Sequence, residues 1–351
     1  MLAFIGCRTT QRRRARGKGI SVYHVSQDGR AWELLQCLEG LVNPSWLLLN
    51  RRGDRLYCIH GDRSDISAFS VHPVSGELRL LNQVSTGGAN PVHMALSHNE
   101  HFIVVSNHIS SSLAVIALED DGRLRGVVDL VELSGDVGPH RIEQPFSKPH
   151  ANPFTADGRF VIVPDKGLDR TFVFAFDDQR GRLTPCPELT VTAREGAGPR
   201  HIDFHPSGGL AFIVNELDST LTAYRFDSET ARLTPYQVCP SVSPFHTGNN
   251  RAAGIAVSPS GKHVLVTNRG ENSISVYRLD PTNQQLHYSH TLASGGSTPR
   301  FIGFDPHGRL HVANEDSDSL CILDGSSLDT LTAPLCEIST PSPVCVAFRM
   351  D

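Results

Sequence analysis

The stretch Gly198-Pro199-Arg200-His201-Ile202-Asp203-Phe204-His205-Pro206-Ser207-Gly208-Gly209-Leu210-Ala211-Phe212-Ile213-Val214-Asn215 decides the fold. Alternation of Ile202 and Phe204 reads as a half-buried strand, Pro206-Ser207-Gly208 as a hairpin, and Leu210 to Val214 as a second, fully apolar strand that ends at the polar Asn215 and Glu216. Downstream, Ser219-Thr-Leu-Thr-Ala-Tyr-Arg-Phe226 supplies a third strand. In a later copy, the turn Asp280-Pro-Thr-Asn-Gln284 leads into a fourth.

The same unit recurs along the chain, and a repeat of this length governs any fold assignment. Copies open at Asn43-Pro-Ser-Trp, Asn90-Pro-Val-His, Lys148-Pro-His-Ala, Arg251-Ala-Ala-Gly and Thr298-Pro-Arg-Phe. The proline slot falls at 44, 91, 149, 199, 252 (alanine here), 299 and 343, giving gaps of 47, 58, 50, 53, 47 and 44. Seven units of four short antiparallel strands predict an all-β, seven-bladed β-propeller, with residues 1–351 as one domain. The last unit, Val344 to Arg349, holds only a first strand, whereas Leu2-Ala-Phe-Ile-Gly-Cys7 matches the second strand Leu210 to Asn215. Pairing the N-terminal strand with the C-terminal blade closes the ring and removes an exposed sheet edge. A solenoid would instead need capping units at both ends.

Composition agrees with a globular chain: 20 % charged, 39 % hydrophobic and a net charge of −5. Bulk attraction to nucleic acid is disfavoured, and no apolar run approaches the roughly 20 residues of a membrane helix. The opening residues before Arg8 are too short and uncharged for a secretory leader, so a cytoplasmic location is expected. Eight cysteines without a Cys-x-x-Cys pair are expected to be free thiols in a reducing compartment. A monomer or weak homo-oligomer is expected.

Antiparallel blades bring the start of the first strand and the end of the second to one rim, so one face of the disc collects both slots. After the proline slot come Ser45, Val92, His150, Arg200, Ala253, Arg300 and Val344; at the second-strand end come Arg8, Gly61, His108, Lys166, Glu216, Arg269 and Glu315. Repeated structural slots would carry similar, bland residues. These carry a cationic excess of Arg8, Lys166, Arg200, Arg269 and Arg300 over Glu216, Glu315 and the nearby Asp165, which favours an anionic small molecule. His150, Arg200, Glu216 and Arg269 are the candidate catalytic group; Lys166, Arg300, His108 and Asp165 are candidate substrate contacts. Arg8 to Lys18, with six basic residues in eleven, reads as a solvated loop on that face or else as a phosphate clamp. Two longer loops, Ser134 to Lys148 and Pro240 to Arg251, face the same mouth as possible lids.

His201, Asp203 and His205 share one face of a strand, which raises a metal site. Other copies place Asp305 or Ser258 in the His205 slot, so it reads as a hairpin position, and neither metal nor cofactor is expected. The chain also lacks Gly-x-Gly-x-x-Gly, P-loop, His-Glu-x-x-His and Gly-x-Ser-x-Gly patterns, which weakens nucleotide, zinc-protease and serine-hydrolase readings.

At Gly88-Ala-Asn-Pro-Val-His93, Asp157-Gly-Arg-Phe-Val-Ile-Val-Pro-Asp-Lys-Gly-Leu-Asp-Arg170, Gly196-Ala-Gly-Pro-Arg-His-Ile-Asp-Phe-His-Pro206, Val214-Asn-Glu-Leu217, Asn268-Arg-Gly270 and Gly295-Gly-Ser-Thr-Pro-Arg300 the chain resembles the seven-bladed propeller lactonases. That family includes bacterial 6-phosphogluconolactonases and fungal 3-carboxy-cis,cis-muconate cyclases. The resemblance spans essentially the whole chain and implies hydrolysis of an anionic sugar lactone, with muconate lactonization as the alternative. The family's His, two Arg and Glu fall on His150, Arg200, Arg269 and Glu216. Two departures touch the rim: Asn152 stands where a second histidine is more usual, and Lys166 where an apolar residue is. Either Glu216 or His150 would activate water, the other donating the proton. A non-catalytic propeller that binds proteins would show apolar rims, against the charged mouth here.

Overall fold

The computed structural model describes residues 1–330 and 333–350. Seven four-stranded sheets form the ring. Blade 1 runs from its inner strand Pro44–Leu49 outward through Arg55–His60 and Asp65–Val71 to Leu78–Ser85. Blades 2, 4, 5 and 6 repeat that order from inner strands Pro91–Leu96, Pro199–Phe204, Arg251–Val257 and Pro299–Phe304.

Blade 7 closes the ring as the sequence predicts. Its inner strand Pro343–Arg349 pairs with Leu2–Cys7, which pairs in turn with Gly19–Val25 and that with Trp32–Glu39. The closing register runs Leu2↔Arg349 through Gly6↔Cys345. The strand Leu2–Cys7 is buried at every position, so the closure is part of the core.

Blade 3 departs from the expected regularity in two places, both at prolines. Its inner segment, which opens at Pro149, makes only isolated bridges, Pro149↔Asp165 and Phe154↔Val161. Pro149 and Pro153 have no N–H for the ladder. The outer strand is split into Arg182–Pro185 and Val191–Thr192 by a 3-10 turn, Pro187–Leu189, with Pro185 and Pro187 as the interruption.

Seven buried apolar clusters lie one between each neighbouring pair of blades. The cluster joining blades 4 and 5, for instance, packs Phe212, Val214 and Leu221 against Val264, Val266 and Tyr277. Each blade is therefore held by its two neighbours.

The inner strands share a distortion that matters for the site. Register shifts fall between Pro44 and Trp46, Pro91 and His93, Pro199 and His201, Pro299 and Phe301, and, one residue longer, Ala252 and Ile255. A bulge re-aims the extra side chain. The residue after the proline slot is thus turned out of the ladder toward the channel mouth, while the second-strand end is pinned beside it: Glu216 N–H donates to Gly198 O, Lys166 N–H to Lys148 O and Glu315 N–H to Thr298 O.

Candidate active site

Bulge residues and strand ends meet at the mouth in one ion-pair network centred on Glu216, which is 3 % exposed. Its carboxylate accepts from Arg200 Nε at 3.0 Å and lies 3.1 Å from both Lys166 Nζ and Arg269 Nη2. Burial opposes the charge on Glu216, but Arg269, Lys166 and Arg200 outweigh it and hold the carboxyl well below its usual range. The arginines are anchored from behind as well: Arg200 Nη1 donates to Ala253 O at 2.6 Å and Arg269 Nη2 to Ala252 O at 3.2 Å.

Both long loops reach the same network. Lys166 Nζ also sits 3.2 Å from Glu143 Oε2, and Arg251 Nη1 lies 2.7 Å from Glu143 Oε1. Burial works against ionisation of Glu143, yet Lys166 and Arg251 bring its carboxyl down to about 2. These two residues were not singled out from the sequence. The loops carrying them were expected at the mouth, but Glu143 has no counterpart in other copies and Arg251 stands one position before the proline slot, outside the two rim slots compared.

Next to the ion pairs stands a row of histidines. Ring centroids are 5.0 Å apart for His108 and His150, 5.1 Å for His150 and His201, and 5.9 Å for His201 and His93. Burial, and then the Arg200 charge, keeps His150 and His201 well below the ordinary histidine value, so both are neutral at pH 7. Burial followed by Lys166 takes His108 down to about 3. His150 Nδ1, His201 Nε2 and Arg269 Nε are buried polar atoms without a protein partner. Such atoms are costly unless something supplies their hydrogen bonds.

Under that layer the channel widens into a cavity of about 300 Å³ whose wall includes Trp46, His93, His201, Arg300 and Phe301. Trp46 was not singled out from the sequence, and His201 was weighed there only as a metal ligand; each follows a bulge residue, and the bulge is what turns it into the channel. His93 is held by Asn152, with Nδ1 3.0 Å from Asn152 Oδ1. The Asn152 side chain also donates to Val104 O at 2.7 Å.

The remaining predicted contacts divide. Arg300 stands at the mouth, paired to Glu315 at 3.1 Å, and His108 backs His150 with its Nδ1 3.2 Å from Pro149 O. Asp165, expected on the rim, is fully buried, and its Oδ1 accepts the backbone N–H of Lys148, Gly167 and Leu168 at 2.8, 2.8 and 3.0 Å. It shapes the turn that presents Lys166. The basic loop is not simply solvated: Arg13 pairs with Asp62, Arg16 with Asp318, and Lys18 Nζ lies 3.2 Å from Glu39. His201, Asp203 and His205 do not converge, since Asp203 accepts Val257 N–H at 2.7 Å and His205 Nε2 faces Gly261 O at 3.1 Å. Among the described residues, no group of three or more His, Cys, Asp or Glu side chains is arranged to hold a metal ion.

A closed ring of seven blades with a buried ion-pair network at one mouth defines a β-propeller. The chain belongs to the lactonase, 7-bladed beta-propeller family, whose model matches residues 2–348. It is similar to the 6-phosphogluconolactonase of Bacillus subtilis (strain 168), 28 % identical over 337 residues and 94 % of each chain. The 6-phosphogluconolactonase of Formosa agariphila is 27 % identical over 318 residues, covering 87 % of this chain and 88 % of the relative. Among solved structures, the periplasmic gluconolactonase of Pseudomonas aeruginosa superposes with a TM-score of 0.89 at 25 % identity, covering 99 % of each chain.

Proposed function

We propose that the protein hydrolyses 6-phosphogluconolactone, or a closely related anionic sugar lactone, at the mouth centred on Glu216. One observation carries the reading: six cationic side chains, Arg8, Lys166, Arg200, Arg251, Arg269 and Arg300, surround only three carboxylates, Glu143, Glu216 and Glu315. The excess positive charge stands on a chain whose net charge is −5. Relatives that share the fold over nearly their whole length carry the 6-phosphogluconolactonase name.

The chemistry follows from the protonation states. Glu216 has both carboxylate oxygens engaged by Lys166, Arg200, Arg269 and Arg251, and serves to fix the positions of those cations. His150 is neutral with Nδ1 unpartnered, so it takes the proton from water as the hydroxyl adds to the lactone carbonyl. Arg269, whose Nε has no protein partner, and Arg200 face the oxyanion as it forms. When the acyl–oxygen bond breaks, protonated His150 returns its proton to the departing ring oxygen. Water is consumed and a hydroxy acid leaves.

All eight cysteines are free thiols, which supports a reducing, cytoplasmic setting for this reaction. Among the described residues, no helix is long and apolar enough to cross a membrane. Initial-rate hydrolysis of 6-phosphogluconolactone beside unphosphorylated gluconolactone tests the reading: the phosphorylated substrate should be turned over with the higher kcat/KM. A preference for the neutral lactone would contradict it.

A further inference from the structure

The mouth has a second end. Three blades round the ring from Glu216, the second-strand end of blade 7 carries Arg8, whose side chain is only 5 % exposed. Its Nε and Nη1 have no hydrogen-bond partner. The nearest carboxylate, Glu315, lies 3.9 Å from Arg8 Nε and is engaged by Arg300 Nη1 at 3.1 Å. Across the blade boundary Ser45, the bulge residue of blade 1, buries an Oγ that is likewise unpartnered.

These orphaned atoms converge on one point. A Cβ on Gly61 would sit 2.3 Å from Arg8 Nη1 and 3.0 Å from Ser45 Oγ. In the other blades that slot holds a side chain, as at His108, Lys166 and Glu216; here the absence of a Cβ lets the Arg8 guanidinium lie against the backbone beside Ser45. Asp62, the next residue, does not pair with it, because its carboxylate is bound by Arg13 and by Asn43 Nδ2, the latter at 3.1 Å. Burial, then repulsion from Arg300, lowers the Arg8 guanidinium to about 10, so an anion placed there relieves both penalties.

We infer that Arg8, Ser45 and Arg300, with Gly61 making room for the Arg8 guanidinium, form a second anion subsite, which takes the remote phosphate of the substrate while the acyl group reacts beside His150 and Arg269. A compact anion with several acceptor oxygens suits donors that approach from two blades, and phosphate offers one more oxygen than a carboxylate. The inference rests on the lactonase reading for its substrate but not for its binding chemistry.

Two assays on the full chain separate the questions. In the first, calorimetry measures inorganic phosphate, with malonate as the carboxylate arm, on wild type, Arg8→Met, Ser45→Ala and Gly61→Ala. The subsite predicts that phosphate binds more tightly than malonate and that each variant weakens phosphate about tenfold or more. Equal phosphate affinity in wild type and the variants overturns it, as does tighter binding of malonate for the phosphate assignment. Ser45→Ala and Gly61→Ala decide the matter if Arg8→Met does not fold. In the second, Arg8→Met should raise KM for 6-phosphogluconolactone with kcat nearly kept, the loss exceeding that on gluconolactone about tenfold. Equal losses on both lactones refute the remote role. Absence of lactone turnover by wild type would instead refute the enzymatic reading, leaving the phosphate titration to judge the subsite.

Discussion

Replacing Glu216 by Gln removes the one anion that Arg200, Lys166, Arg269 and, at 3.7 Å, Arg251 share, while leaving shape and volume nearly unchanged. In the wild type its oxygens lie 3.0 Å from Arg200 Nε and 3.1 Å from both Lys166 Nζ and Arg269 Nη2. Removing one partner of a buried ion pair costs about 3–5 kcal/mol, because the opposing charge stays buried without compensation. Lys166 keeps Glu143, and both arginines keep their backbone carbonyls, which argues for the lower half of that range. With an unfolding entropy of roughly 2.1 cal/mol/K per residue over 351 residues, the melting temperature should fall by about 4–5 °C. The variant mouth is more cationic and should bind phosphate at least as well, yet kcat should fall because Arg200 and Arg269 are no longer held in place. Differential scanning calorimetry with and without phosphate, together with kcat and KM, checks both halves. A variant with unchanged melting temperature and unchanged kcat would refute the role given to Glu216.

Deleting residues 1–7 removes a strand in which Leu2, Phe4 and Ile5 are at most 1 % exposed, worth about 1.5–3 kcal/mol each, so the deletion should be insoluble or markedly destabilised; monodisperse protein with an unchanged melting temperature would contradict ring closure. His93 and His108, brought by burial from the ordinary 6.5 down to about 4 and about 3, take up protons more readily in the unfolded chain. Stability should therefore be full above pH 6.5 and fall as the pH drops toward 4, by about 2.5 kcal/mol per histidine at pH 4.5, as denaturant titrations at several pH values would register. Activity should survive exhaustive chelation, and loss with EDTA followed by recovery with a divalent ion would assign the chemistry to a metal.

Much of this was legible in the chain because a propeller writes its geometry once per blade. The proline slot located each inner strand, and the two rim slots placed His150, Arg200, Glu216 and Arg269 at one mouth. Blade 3 broke the pattern where Pro149, Pro153, Pro185 and Pro187 withhold ladder donors, a local effect that the repeat comparison averages away. Glu143 escaped because its loop has no periodic counterpart to read, and Arg251 because it stands one position before the proline slot, outside the two rim slots compared. The role of Asp165 differed for a related reason: its position in the repeat gave its height on the rim but not the three N–H groups that turn it inward.

The central claim is that Arg200 and Arg269 stabilise charge developing on an anionic lactone at this mouth. Steady-state kinetics of Arg200→Met and Arg269→Met on 6-phosphogluconolactone test it most directly. Because other blades place Ser45 and Ala253 in the slot of Arg200, that variant should fold. A donor acting mainly in the transition state is worth about 2.7–4 kcal/mol, so kcat should drop on the order of 10²–10³ in each variant with a smaller change in KM. Wild-type kcat and KM in both folded variants would contradict the account and move the site elsewhere on the ring.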